Sequence, residues 1–393
     1  MLSSVTRVGS GHIASVSWGD HLAFGEGDGR LADPDAVRRR LEHWRDELGA
    51  AALHWRVFRR RIPGRFDAAP GHVHPSQAPG ITWSELEEVP ALARAAGLES
   101  WLYVSVFDEG WPLAPPEVRA VSHHNAMHGR DVAWQSAFSA AHPEWMEHDR
   151  DGVPQTGVLA LAWPEVRRHF VERFTGWMRA SAFDGLFLCL RSQSKPAAHG
   201  DAIGFAGPVR ERFLARHGVD ILRDDFDRQA WRDLRGEDLT ALVRELRGAM
   251  SVLGRRFAVG APRGDVLGPP LGNMTLAWRT WVAEGLVDAL VINQNSSRCP
   301  SMWHDLWPMH RGAGYAQNYL TGEGMPSLTA QLREGYGPAV AGSTTRLYVA
   351  RQWDARDAAE EAALSATPDV SGLVFSTFRH DNPSAVARND WRL

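Results

Sequence analysis

The chain is poor in cysteine, and the two it has, Cys189 and Cys299 among 393 residues, sit in contexts that give no reason to pair them. Two thiols make no disulfide framework, and reduced thiols fit the cytoplasm. The start, MLSSVTRVGSGHIASVSWGD, lacks the basic residues and unbroken apolar run of a secretion signal. No stretch of the sequence reaches the roughly 18 apolar residues that cross a bilayer as a helix. An excess of one charge is missing as well: 43 basic and 47 acidic residues are interspersed and leave a formal net charge of −4. No long-range field then favours nucleic acid or an anionic membrane. Internal repeats, low-complexity tracts and charged tails are absent too, which excludes solenoids and disordered interaction tails. The expected partner is a small molecule or an oligosaccharide, with no nucleic acid, no membrane, no metal and no cofactor. Nothing in the sequence sets an oligomeric state.

What is present is an ordinary globular balance, 44% hydrophobic against 23% charged, enough to build a large core. Short runs rich in Val, Leu, Ile and Phe alternate with helix-period segments, the pattern of a parallel sheet covered by helices. Eight such runs lie at 12–18, 51–58, 101–107, 185–190, 257–261, 289–293, 346–353 and 372–378. They predict an α/β fold, a (β/α)8 TIM barrel formed as a single domain over 1–393, since such barrels commonly run past about 250 residues. Between the strands, Val37, Leu41, Trp44 and Leu48 fall on one helix face behind Asp33 and Pro34. Val166, Phe170, Phe174 and Trp177 make a second stripe, and Leu239, Leu242, Val243 and Leu246 a third. Insertions are expected after strands 3 and 4, with mouth loops at about 59–82, 108–163 and 191–238. In this fold those connections carry the active site.

Several segments carry a family likeness: HPEW at 142–145, WPEVRRHFVERF at 163–174, FDGLFLCLRSQS at 183–194, RHGVDI at 216–221, WRDLRGEDLTALVRELR at 231–247 and WRTWVAEGLVDALVINQ at 278–294. Together the chain resembles the bacterial family-ten-like glycosyl hydrolases, over most of its length. The resemblance implies a TIM barrel, a carbohydrate substrate and an aspartate near the end of the fourth strand, in a pattern DG-apolar-x-apolar-D-x-x-R. Here Asp184 and Gly185 match its start, but Cys189 stands where the acid is expected. Fold and lineage do not fix chemistry.

Glycoside hydrolysis needs two carboxyl groups flanking the scissile bond. The acids available after predicted strands are Asp108 and Glu109, Asp265, Asp354 and Asp381, and the first four are the candidates for the pair. Each has a plainer alternative: Asp108 caps a turn, Glu109 is solvated, Asp265 caps its loop and Asp354 caps a helix. Arg191 and Gln193 follow the fourth strand and would orient substrate, or Arg191 would pair internally with Asp108 or Asp265. His54 and Arg56 share a strand face by alternation, a face read as inward, and Gln294 follows the sixth predicted strand. His123 and His124, with His128, His72 and His74, have loose spacing for a metal and read as hydrogen-bonding groups of a mouth loop. Cys189 reads as a buried packing residue.

Tryptophan is abundant, 17 in all, and aromatic planes stack on the C–H faces of pyranose rings. Trp18, Trp111 and Trp353 are the best placed for this, while others among Trp55, Trp101, Trp134, Trp303 and Trp307 fill the barrel. The leading expectation is acid/base cleavage of a glycosidic bond. The alternatives are a barrel repurposed for elimination, isomerisation or cyclisation, and a non-catalytic sugar-binding protein.

Overall fold

The structure, a computed structural model, describes residues 11–16, 31, 33–57, 83–107, 109–111, 134–190, 203–267, 274–294, 326–351 and 358–377. Eight parallel strands close into one barrel: β1 (His12–Val16), β2 (Ala50–Arg56), β3 (Glu99–Ser105), β8 (Gly185–Cys189), β9 (Arg256–Gly260), β10 (Ala289–Ile292), β11 (Arg346–Arg351) and β12 (Val370–Ser376). They pair in chain order, and β12 pairs back onto β1. Each of the eight runs expected from the sequence overlaps one of these strands, four of which begin one or two residues ahead of the run. Two small antiparallel pairs lie between β3 and the next barrel strand: β4 (Gly110–Trp111) with β5 (Trp134–Gln135), and β6 (Met146–His148) with β7 (Pro154–Leu159).

The covering helices form where the sequence places an apolar stripe behind a capping residue. Asp33 accepts a hydrogen bond from the Ala36 N–H at 2.7 Å and starts α1 (Pro34–Leu48), a cap that contributes about 1 kcal/mol. Val37, Leu41, Trp44 and Leu48 are buried against the barrel, and Gly49, at φ 62, ends the helix. There follow α2 (Glu85–Ala95), the short α3 (Ala137–Ala141), and α4 (Pro164–Arg179), which buries Val166, Phe170, Phe174 and Trp177. Beyond β8 come α5 (Gly207–His217), α6 (Arg228–Val252) and α7 (Trp278–Ala283). The last are α8 (Leu328–Gln331), joined by a π-helical turn to α9 (Gly337–Val340), and α10 (Ala358–Ser365). Among the described residues no helix is long and apolar enough to cross a membrane.

One expectation needs correcting. The stretch 191–238 is not a plain loop, because it contains α5 and the first three turns of α6. The apolar period that would have shown it, Trp231 and Leu234, is interrupted by two buried charges: Arg235, paired with Glu147 at 3.1 Å, and Asp238, paired with Arg212 at 2.5 Å. Burial pushes the Asp238 carboxyl above its ordinary range, against the pull of Arg212.

Strand alternation and register sort the barrel interior into layers, as in other barrels of this type. At the N-terminal pole Glu99 holds Arg256 at 2.7 Å and Arg346 at 3.4 Å, and both guanidinium groups lie over Trp101. A layer of small residues follows, Ala52, Gly185, Ala289 and Gly372, and a Cβ at Gly185 would collide with the Trp101 ring. Ile13, Trp101, Ala258 and Tyr348 fill the next layer, and Phe187, Val291 and Val374 with His54 the one above. This half is packed as a dry core.

Candidate active site at the C-terminal end of the barrel

Toward the strand C-termini the interior changes character. Ser15 and His54 are register partners on β1 and β2, and each is 1% exposed. Among the described residues, neither the Ser15 Oγ nor the His54 Nδ1 has a hydrogen-bond partner. The His54 ring stacks on Phe187 with centroids 3.8 Å apart, and burial, helped by the Arg346 charge, pushes its pKa down to about 3. It is therefore a neutral imidazole, one nitrogen a donor and the other an acceptor. One turn of alternation higher, Arg56 lies over the Tyr103 ring at 5.3 Å, and the Tyr103 hydroxyl donates to the Cys189 Sγ at 3.2 Å. His54 and Arg56 thus point into the barrel, on the face that alternation assigns them.

Gln294 completes this layer by a break in alternation. Asn293 takes a left-handed backbone at φ 60, and its Nδ2 donates to the Ala350 carbonyl at 2.9 Å. The chain turns there, and the Gln294 amide comes to lie over Gly260, where any Cβ would collide with its Oε1 and crowd the edge of Phe187. Gln294 is 1% exposed, yet among the described residues neither its Oε1 nor its Nε2 has a partner. A buried polar group left unpaired costs about 1–3 kcal/mol, and such groups call for a functional or ligand-based explanation. Strained backbone next to them points the same way.

The acids fall elsewhere. Glu99, at the far pole, is the one carboxylate on the described barrel strands. Glu109, expected among the catalytic acids and alternatively as solvated, is instead 3% exposed and bound to Arg173 of α4 at 2.5 Å and 3.4 Å. Burial would raise its pKa, but Arg173, Ser136 and His169 together hold it below the ordinary range. That carboxylate is turned to the helix layer, beside a cleft of about 620 Å³ that Phe138, His169, Arg173 and Trp177 help to line. Asp265 is 58% exposed at its side chain, and one oxygen accepts from both Trp278 Nε1 and Arg279, each at 2.7 Å. It anchors its loop to α7. Asp184, as its turn position implies, accepts from the Ser100 backbone at 2.8 Å.

Asp108, Asp354, Trp18, Trp353, His123, His124, Arg191 and Gln193 lie outside the described residues, as do His72, His74, His128, Trp303, Trp307 and Cys299. Trp111 pairs with Trp134 in the β4–β5 ladder. Trp55 and Trp101 are core residues, 0% and 2% exposed. Ser15, Tyr103 and Phe187 were not singled out from sequence. The available signal was strand alternation, which places Ser15 in phase with Ile13 and Tyr103 in phase with Trp101.

No protein-family model matches the chain, and no curated protein matches it in sequence. In fold it is similar to the glycoside hydrolase domain of PgaB (BpsB) from Bordetella bronchiseptica, at 14% identity and a TM-score of 0.50 over 97% of this chain and 98% of that one. A β-galactosidase from the psychrophilic Marinomonas ef1 aligns with 93% of the chain at 11% identity and a TM-score of 0.49. The α-L-fucosidase isoenzyme 2 of Paenibacillus thiaminolyticus aligns with 93% at 10% identity and 0.48. The chain spans 53% and 45% of those two. At these identities the likeness is one of fold.

Proposed function

We propose that the chain is a carbohydrate-active enzyme of glycoside-hydrolase-like type, cleaving a glycosidic bond at the C-terminal end of its barrel. The observation that carries this is the group of buried, unpartnered hydrogen-bonding atoms there: Ser15 Oγ, His54 Nδ1 and both polar atoms of the Gln294 amide. Sugar hydroxyls are donors and acceptors at once, and match groups that are also both. The fold likeness to a protein named as a glycoside hydrolase domain supports the same class. So does the resemblance of 142–145, 163–174 and 183–194 to family-ten-like glycosyl hydrolases.

With Glu109 committed to Arg173 and Asp265 to Trp278 and Arg279, the acid pair we assign is Asp108 with Asp354, which follow β3 and β11 in sequence. One protonates the leaving oxygen, and the other attacks or activates water. His54, Arg56 and Gln294 hold the substrate, with Trp18, Trp111 and Trp353 as stacking planes and His123, His124, Arg191 and Gln193 as polar contacts. No cofactor is needed for this chemistry, and a cytoplasmic oligosaccharide or glycoside is the substrate class.

A second reading has its own observation: the fourth barrel strand ends in Cys189, and the described strands carry no acid above Glu99. That favours a barrel repurposed for elimination, isomerisation or cyclisation, or a sugar-binding protein without catalysis. Assays of nitrophenyl glycosides and oligosaccharides with wild type, Asp108→Asn and Asp354→Asn separate the two. Turnover lost in both variants supports hydrolysis, and no turnover by wild type overturns it.

A further inference from the structure

Glu109 is bound through its N–H, its carbonyl and its carboxylate, and by a different element at each. The N–H donates to the Gly157 carbonyl of β7 at 3.1 Å. The carbonyl accepts from the Ser136 N–H at 2.8 Å and from the Ser139 hydroxyl at 3.2 Å, at the start of α3. The carboxylate takes both arms of the Arg173 guanidinium from α4, at 2.5 Å and 3.4 Å. Arg173 is itself fixed. Its Nη2 also meets the His169 Nε2 at 2.5 Å, one turn back on α4, and the His169 ring lies flat on Phe138 of α3, with centroids 3.4 Å apart and planes 6° from parallel.

An ion pair that only fastened α4 to the barrel would need the carboxylate alone. Here the backbone of the same residue is tied as well, by hydrogen bonds that do not involve α4. What they fix is the chain just past β3, where its mouth connection begins. Phe107, 1% exposed, stands one residue before Asp108, and Glu109, 3% exposed, stands one after. In barrels of this type catalytic side chains come from the ends of strands. A reacting group misplaced by about 1 Å can cost about 10²-fold in rate, so such groups depend on neighbours locked by packing and hydrogen bonds.

We propose that Glu109 is a positioning residue for the acid beside it, and that Arg173, Ser136 and Ser139 hold Glu109 so that the backbone carrying Asp108 keeps one place. Glu109 does no chemistry in this role, because its carboxylate is spent on Arg173. The role rests on Asp108 being one of the catalytic pair, as proposed above.

The test compares two buried ion pairs. Glu109→Gln, Arg173→Gln and the milder Ser139→Ala, which removes a hydroxyl from the Glu109 carbonyl, are set against Glu147→Gln and Arg235→Gln. The Glu147–Arg235 pair, 3.1 Å apart and comparably buried, adjoins no candidate acid, so it reproduces the loss of an internal ion pair without that neighbour. The substrate is a nitrophenyl glycoside that wild type turns over and Asp108→Asn does not, at a temperature where each variant keeps native circular dichroism. In Glu109→Gln and Arg173→Gln kcat is expected to fall about tenfold or more, and in Ser139→Ala about threefold, with KM within about threefold of wild type. Both control variants are expected to keep the wild-type kcat. Amide hydrogen exchange in peptides spanning 105–111 is expected to quicken in the first set alone. Wild-type kcat in folded Glu109→Gln and Ser139→Ala, or an equal fall in the control pair, would overturn the positioning role while leaving Asp108 catalytic. Full activity in Asp108→Asn, or no turnover of any glycoside by wild type, would overturn the role together with the reading it rests on.

Discussion

The His54 imidazole lies flat on the Phe187 ring, with centroids 3.8 Å apart and planes 20° from parallel. The contact joins the second and fourth barrel strands across the interior, and burial there keeps the imidazole neutral down to about pH 3. Phe187 also reaches the space over Gly260 where the Gln294 amide sits, so one ring braces both polar residues.

Acid stability reports on this arrangement. An unfolded histidine takes up a proton near pH 6.5, whereas folded His54 does so only at about 3. Between those values the unfolded chain binds the extra proton, so the contribution of His54 is complete above about pH 6.5 and falls as pH drops, by up to about 1.4 kcal/mol per pH unit. Urea midpoints of wild type should therefore fall more between pH 7 and pH 5 than those of His54→Asn. Equal losses would contradict the buried neutral imidazole.

Glu109 and Arg173 predict a stability effect of a different kind. Side-chain exposures of 4% and 11% leave either charge poorly hydrated once its partner is gone, and breaking a buried pair costs about 3–5 kcal/mol. Glu109→Gln and Arg173→Gln should each lower the urea midpoint, and the double variant should lose less than the sum of the two. Because the folded Glu109 pKa is depressed, its stabilisation is present above the unfolded value of about 4.3 and is lost as pH falls through the folded one. Additive losses in the double variant would contradict the pair.

Glycine substitutions separate packing from binding. Gly185→Ala puts a methyl group into the Trp101 ring deep in the dry half, and overpacking of this kind costs about 1–3 kcal/mol. Gly260→Ala should instead displace the Gln294 amide, lowering kcat/KM in a protein that stays folded at assay temperature. Unchanged kcat/KM in folded Gly260→Ala would remove Gln294 from the site.

The acids can be ranked by activity. Asp265→Asn keeps an oxygen acceptor for Trp278 and Arg279, so turnover should change little. Asp108→Asn and Asp354→Asn should each lower kcat by about 10²–10⁴-fold, the usual size of general acid or base catalysis. A large loss in Asp265→Asn with none in Asp108→Asn would exchange their roles.

The barrel was legible because its signals are local. The eight apolar runs and the stripes of α1, α4 and the later turns of α6 follow from side-chain period alone. The first turns of α6 were hidden because Arg235 and Asp238 are buried through pairing with Glu147 and Arg212, a tertiary fact that no periodicity carries. The same limit governs the site. His54 and Arg56 were readable as one inward face, but the committed state of Glu109 depends on Arg173, 64 residues away in the chain. Gln294 was singled out at a strand end, yet its reach over Gly260 depends on the left-handed turn at Asn293.

The most direct measurement is kcat/KM over the nitrophenyl glycosides for wild type and Gln294→Leu, side chains of similar volume that differ in the amide. Binding of a sugar by the unpartnered groups of the barrel interior predicts turnover of at least one glycoside by wild type and a loss of about tenfold or more in the variant. No turnover by wild type, or equal kcat/KM in both proteins, would contradict it.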